Sequence, residues 1–149
     1  MASARKVSRS IRRWSSLWAL PFLAALALAA CGPSPESIER GRILVAIDRV
    51  RDAPAGEVVV RRKLIADLQQ TPAVVPEVLR ARDTCATAYR LLLDGIELQR
   101  GVRAELEKGD PGPSLAARLL EAESKIKQSD TVMPDCERAI AGLRLPGRD

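Results

Sequence analysis

Histidine is absent from all 149 residues. That excludes serine–histidine and cysteine–histidine nucleophilic sites and histidine-based zinc sites, each of which needs an imidazole as base or ligand. Aromatic residues are nearly absent too. Trp14, Trp18 and Phe22 fall in the first 22 residues, and Tyr89 stands alone beyond them. A platform that stacks bases or sugars needs several rings, so the composition argues against a nucleic-acid partner. Neither the dinucleotide pattern nor the P-loop pattern of glycines occurs. No apolar run reaches the about 20 residues that a membrane-spanning helix needs. Acidic residues are missing from the start of the chain, the first being Glu36.

What stands at that acid-free start is informative. Arg5, Lys6, Arg9, Arg12 and Arg13 precede Leu17–Ala30, fourteen residues without a charge. A basic n-region, an apolar h-region and small residues at its end form a secretory signal. A transmembrane helix is the competing reading, but the run is short and holds Pro21. Leu28-Ala29-Ala30-Cys31 then resembles the lipobox of bacterial lipoproteins: a Leu, two small residues and an obligatory Cys. The resemblance covers only this segment. It implies a diacylglyceryl group on the Cys31 thiol, cleavage before Cys31 and acylation, for example with palmitate, of the new α-amine. The physics agrees with the inference, since one acyl chain binds a membrane marginally and two or more hold it stably.

Two other routes fit parts of the same segment. Ala27-Leu28-Ala29 suits an ordinary A-x-A cleavage site, which would release a secreted protein cut before Ala30. Arg12-Arg13-Trp14 is similar to a twin-arginine signal, yet Ser15 and Ser16 fill the apolar places; general secretion is the expectation. Gly32 follows the cysteine, without the Asp that the resemblance associates with inner-membrane retention in enteric bacteria. In a Gram-negative host the expected site is therefore the outer membrane, facing the periplasm.

Removing the signal changes the charge. The whole chain has 24 Lys and Arg against 19 Asp and Glu. Five of the bases lie before Cys31 and no acid does, so 19 bases face 19 acids in the remaining 119 residues. The basic pI near 9.6 belongs largely to the leader. It is no argument for nucleic acid or for an anionic surface.

Three cysteines look odd for an exported protein. With Cys31 assigned to lipid, Cys85 and Cys136 remain as a pair. Outside the cytoplasm a disulfide persists. Free buried thiols are the plainer alternative. A metal is a poor one, since two thiolates do not fill a tetrahedral site.

The chain after Cys31 reads as helical throughout. Ser34-Pro35 suits an N-cap and first helical position, opening a helix over about 35–52 with Ile43, Ile47 and Val50 on its apolar face. Residues 58–70 begin with three valines, a pattern that suggests a strand. Leu64, Ile65 and Leu68 continue at helical spacing, and the segment is taken as helix. Pro76 opens a long helix to about Lys108, where Val78, Ala81, Cys85, Ala88 and Leu92 step by 3, 4, 3 and 4. Ile96, Val102 and Leu106 extend that surface. Gly95 and Gly101 each weaken the helix by roughly 1 kcal/mol relative to Ala, which suggests a bend or a close helix contact. Gly109 suits a C′ stop. Ser114 caps a fourth helix along Leu115, Leu119, Ala122 and Ile126. Pro134 then reads as the first position of a short fifth helix carrying Met133, Cys136, Ile140 and Leu143. Each remaining cysteine thus lies on an apolar stripe, which supports a disulfide between the third and last helices.

The expected fold is all-α: a small bundle of four to five helices preceded by a signal peptide. Residues 1–30 are the signal, 31–37 the lipidated Cys and a short tether, and 38–149 a single helical domain. Arg61-Arg62-Lys63 is the densest basic cluster and a candidate contact for an anionic surface, with a solvated helix face as the plainer reading. Glu97, Glu105, Glu107, Glu121 and Glu123 lie on amphipathic stretches and read as solvated faces rather than acid–base pairs. No catalytic, metal or cofactor residues are expected beyond the covalent lipid. The expectation is a membrane-anchored envelope lipoprotein, a non-catalytic interaction or structural module whose partner is an unidentified envelope protein or polymer. The alternative is a binding protein for a small or lipidic ligand held between helices.

Overall fold

Helix α1, Pro35–Asp52, begins where its local chemistry dictates. The Ser34 hydroxyl accepts the Ser37 N–H at 3.1 Å, and the Ser37 hydroxyl donates back to the Ser34 carbonyl at 2.8 Å. Pro35 at the first position has no N–H to leave unsatisfied. The helix therefore starts inside the segment read as tether. A computed structural model describes residues 32–109 and 112–145; the signal and Cys31 lie outside the described residues. Within them the chain forms α1, α2 (Val58–Gln70), α3 (Pro76–Glu107) and α4 (Leu115–Arg144), with no strand. The valine run opens α2 as helix, with Val58 packed against the core and Val59 and Val60 exposed.

The fifth helix does not exist as a separate element. Pro134 lies inside α4, which runs through it for 30 residues. A proline inside a helix removes one N–H and crowds the carbonyl four residues back. Here that carbonyl belongs to Asp130, and both Asp130 and Pro134 are exposed, so water can satisfy it. The inward stripe passes the proline in unbroken phase: the buried Ala122, Ser129, Cys136, Ile140 and Leu143 and the partly buried Ile126 and Met133 fall at alternating steps of 4 and 3. Packing of this stripe outweighs the local cost of the proline.

Helices α3 and α4 form an antiparallel hairpin. Its crossing contacts run in reverse order along the two helices: Cys85 with Cys136, Ala88 with Ser129, Gly95 with Ala122 and Ile126, and Glu105 with Arg118. At 1.5 Å per residue the two arms are each roughly 45–48 Å long. The residues in the seam are small. Ala81, Cys85, Ala88, Gly95, Ala122 and Ser129 are all buried, and they let the backbones approach closely.

Helices α1 and α2 cover only part of this hairpin. Ile43, Ile47 and Val50 of α1 and Ile65 and Leu68 of α2 join Val78, Ala81, Cys85, Leu93, Cys136, Ile140 and Leu143 in one core. Fully burying each large aliphatic side chain here contributes about 1.5–3 kcal/mol. Ala86 and Leu93, seven residues apart on α3, were not on the single stripe read from the sequence. They are buried because α3 is covered by α4 on one side and by α1 and α2 on another. Among the described residues, the hairpin is two helices thick beyond the reach of α2. Val102 stays buried in the seam, but Leu106, Leu119 and Leu120 are exposed. The apolar spacing of Leu106 and Leu119 suggested core. Among the described residues they have no third layer to pack against. Gly109, at φ +74°, ends α3 in the left-handed conformation that glycine adopts without steric cost.

Candidate functional site

Cys31, the lipidation candidate, lies outside the described residues. Cys85 and Cys136 are brought together as a disulfide between α3 and the C-terminal third of α4, with Cα atoms 4.7 Å apart and both side chains fully buried. It joins positions 51 residues apart in sequence. Two turns before Cys136 on α4, Ser129 is buried, and its hydroxyl donates to the Ala88 carbonyl at 2.9 Å. A buried hydroxyl without such a partner would be costly. Sequence reading passed over Ser129. The signal was its position, which bridges the two apolar stripes of α4 at the required steps of 3 and 4.

The basic cluster is dispersed by the fold. Arg61 donates through Nε and Nη2 to the Ala53 carbonyl, at 3.1 and 2.7 Å, and so caps the C-terminus of α1. Arg62 crosses to α3, where it bonds Asp94 at 3.1 Å and also Glu97. The hydrogen bond that Arg62 donates to Asp94 leads the effects that hold its guanidinium above the usual pKa, against the opposing cost of burial. Lys63 is exposed. Other arginines serve the same purpose as Arg61. Arg82 donates to the Thr71 carbonyl at 3.1 Å, closing the end of α2, and Arg100 donates to Ala55 at 2.9 Å in the α1–α2 turn. The N-terminus of α3 is closed by an acid: Glu39 of α1 accepts the N–H groups of Val74 and Val75 at 2.5 and 3.0 Å.

The carboxylates are arranged as paired surface charges. A groove of about 320 Å³ between α3 and α4 is lined by Asp94, Glu97, Leu98, Arg118, Glu121 and Lys125. Its acids each have a cationic partner, Asp94 and Glu97 in Arg62 and Glu121 in Lys125 at 3.8 Å. Glu105 pairs with Arg118 across the hairpin, while Glu107 and Glu123 are exposed. Tyr89 is half-buried against the core. Burial raises its phenol above the usual value, and the charge of Arg51 opposes that shift.

An open trough of about 540 Å³ lies between α1 and the C-terminal end of α2. Gly41, Arg42, Val45 and Arg49 form its α1 wall, and Asp67, Gln70 and Pro72 face them. A smaller groove of about 150 Å³, lined by Ile38, Glu39, Val74 and others, shares Arg42 and Pro72 with it. The two form one continuous face. Among the described residues, no group of three or more His, Cys, Asp or Glu side chains is placed to hold a metal ion, and no helix is long and apolar enough to cross a membrane. Comparison with protein families, with curated proteins and with solved structures finds no match.

Proposed function

We propose that the chain is the precursor of a bacterial envelope lipoprotein, anchored through acyl chains on Cys31, whose helical domain is a non-catalytic interaction or structural module. One observation carries the reading: Leu28-Ala29-Ala30-Cys31 directly follows a basic n-region and a fourteen-residue apolar run. The disulfide supports it, because a bond between Cys85 and Cys136 persists in an oxidising compartment and rarely in a reducing one. The surface supports a module that works by contact. The α1–α2 trough and the α3–α4 groove are open to solvent, and the acids of that groove are neutralised by neighbouring bases. In a Gram-negative host the protein sits in the outer membrane and faces the periplasm, where an envelope protein or polymer is its partner. It uses no cofactor beyond the covalent lipid.

The test is metabolic labelling of the expressed protein with a traceable palmitate. Label should enter the wild-type protein in the membrane fraction and vanish in Cys31→Ser, which should accumulate as uncleaved precursor. Label-free wild-type protein in the soluble fraction overturns the anchor. Mild crosslinking of detergent extracts then identifies the partner.

A further inference from the structure

The outward face of α1 begins only four residues after Cys31. Those residues span at most about 14 Å of extended chain, so an acyl group on Cys31 holds the start of α1 at the bilayer surface. Ile38, Arg42, Val45 and Arg49 recur at steps of 4, 3 and 4 and are all exposed. They form one stripe of about 16 Å along the helix. Ile38 keeps 48% of its surface exposed and Val45 52%; Val74, beside Ile38 in the smaller groove, keeps 81%. The two arginines of the stripe have no ion pair among the described residues, unlike Arg40 and Arg51 of the same helix. Of the nearby acids, Glu39 is turned inward to the backbone at the start of α3, and Asp67 stands on the opposite wall of the trough.

Alternating aliphatic and arginine side chains suit the boundary between headgroups and acyl chains. The aliphatic groups enter the apolar edge, and the guanidinium groups stay with the phosphates. We propose that this stripe of α1, with Val74, lies flat on an anionic lipid surface, so that the anchored domain rests on the membrane and directs the tip of the α3–α4 hairpin away from its attachment point. The proposal rests on the lipoprotein reading above, and it assigns the anionic contact to Arg42 and Arg49, whereas Arg61 and Arg62 are engaged within the fold.

The experiment uses the acylated, oxidised protein reconstituted in vesicles of phosphatidylethanolamine, with or without phosphatidylglycerol. Intact mass is read first. A single new cysteine, Val45→Cys or Leu120→Cys, is labelled with a polarity-sensitive dye; Cys85 and Cys136 are bonded to each other and Cys31 is acylated, so only the new thiol reacts. The dye at position 45 should report an apolar setting in the phosphatidylglycerol vesicles, and the dye at position 120 an aqueous one. A basic residue near an anionic surface is worth about a fivefold preference, so adding Arg42→Gln and Arg49→Gln should lower the docked-to-free ratio about thirtyfold. Both positions are exposed, and the melting temperature should hold. An aqueous dye at position 45 on fully acylated protein overturns the docking alone. A shift that needs no phosphatidylglycerol and grows with protein density points to a second copy and also overturns it. A mass without acyl groups overturns the anchor and the docking together.

Discussion

Gly95 and Gly41 are both helical glycines, and replacing each by alanine should change stability in opposite directions. On propensity alone each change favours the helix by about 1 kcal/mol. At Gly41 a new Cβ meets nothing within 4 Å, so the gain is realised in full. At Gly95 the new Cβ would stand 2.7 Å from Ile126 Cγ1 and 3.0 Å from the Ala122 carbonyl oxygen. Part of that obstruction is backbone, and the Ile126 atom is close to its own helix, so neither moves without shifting α4. Overpacking of this kind costs typically 1–3 kcal/mol, which outweighs the propensity gain. Gly95→Ala should therefore destabilise by about 1 kcal/mol and Gly41→Ala stabilise by about 1 kcal/mol. Each change corresponds to roughly 4 °C in Tm for a domain of this size. Thermal melts followed by circular dichroism, with the disulfide intact, read both. If Gly95→Ala stabilises as much as Gly41→Ala, the close approach of α3 and α4 at this point is wrong.

Replacing both Cys85 and Cys136 by Ala should cost about 4 kcal/mol in the chain-entropy model for a closed loop of this length, and chemical denaturation of the double variant against the oxidised parent measures it. Hydrogen exchange on that variant should show the C-terminal turns of α4 opening first. Ser129→Ala should cost about 1 kcal/mol, the usual net value of one buried hydrogen bond, read from the same denaturation curves. Tyr89 is the sole tyrosine in the chain, so ultraviolet titration of tyrosinate reports it alone. Its midpoint should lie above 10, and Arg51→Gln should raise it further by removing the charge that opposes the shift. Because the folded phenol holds its proton more tightly than the unfolded one, Tyr89 adds no pH dependence below about 10. Its ionisation destabilises the fold as pH rises past the unfolded value.

The elements were legible where punctuation and periodicity agree. Ser34-Pro35, the proline and glycine turns around 53–57 and 71–76, and Gly109 bound helices whose apolar steps are helical. Pro134 misled because a proline after a polar stretch is equally good at the first position of a helix and tolerable on an exposed face inside one. Only the phase of the buried stripe, carried through Ser129, separates the two cases. The disulfide was legible because parity and stripe position point to the same two cysteines. The fate of Arg61 and Arg62 was not, since the acids that hold Arg62 lie 32 and 35 residues away on another helix. Nor was the exposure of Leu106 and Leu119, because spacing reveals an apolar face but not whether a third helix reaches it.

The central claim is that the functional chain starts at a lipid-modified Cys31, and intact-mass analysis of the protein purified from bacterial membranes tests it most directly. The expected mass is that of a polypeptide beginning at Cys31, increased by a diacylglyceryl group and an N-linked acyl chain, and reduced by the two hydrogens of the Cys85–Cys136 bond. An unmodified polypeptide beginning at Ala30, recovered from the soluble fraction, would contradict it.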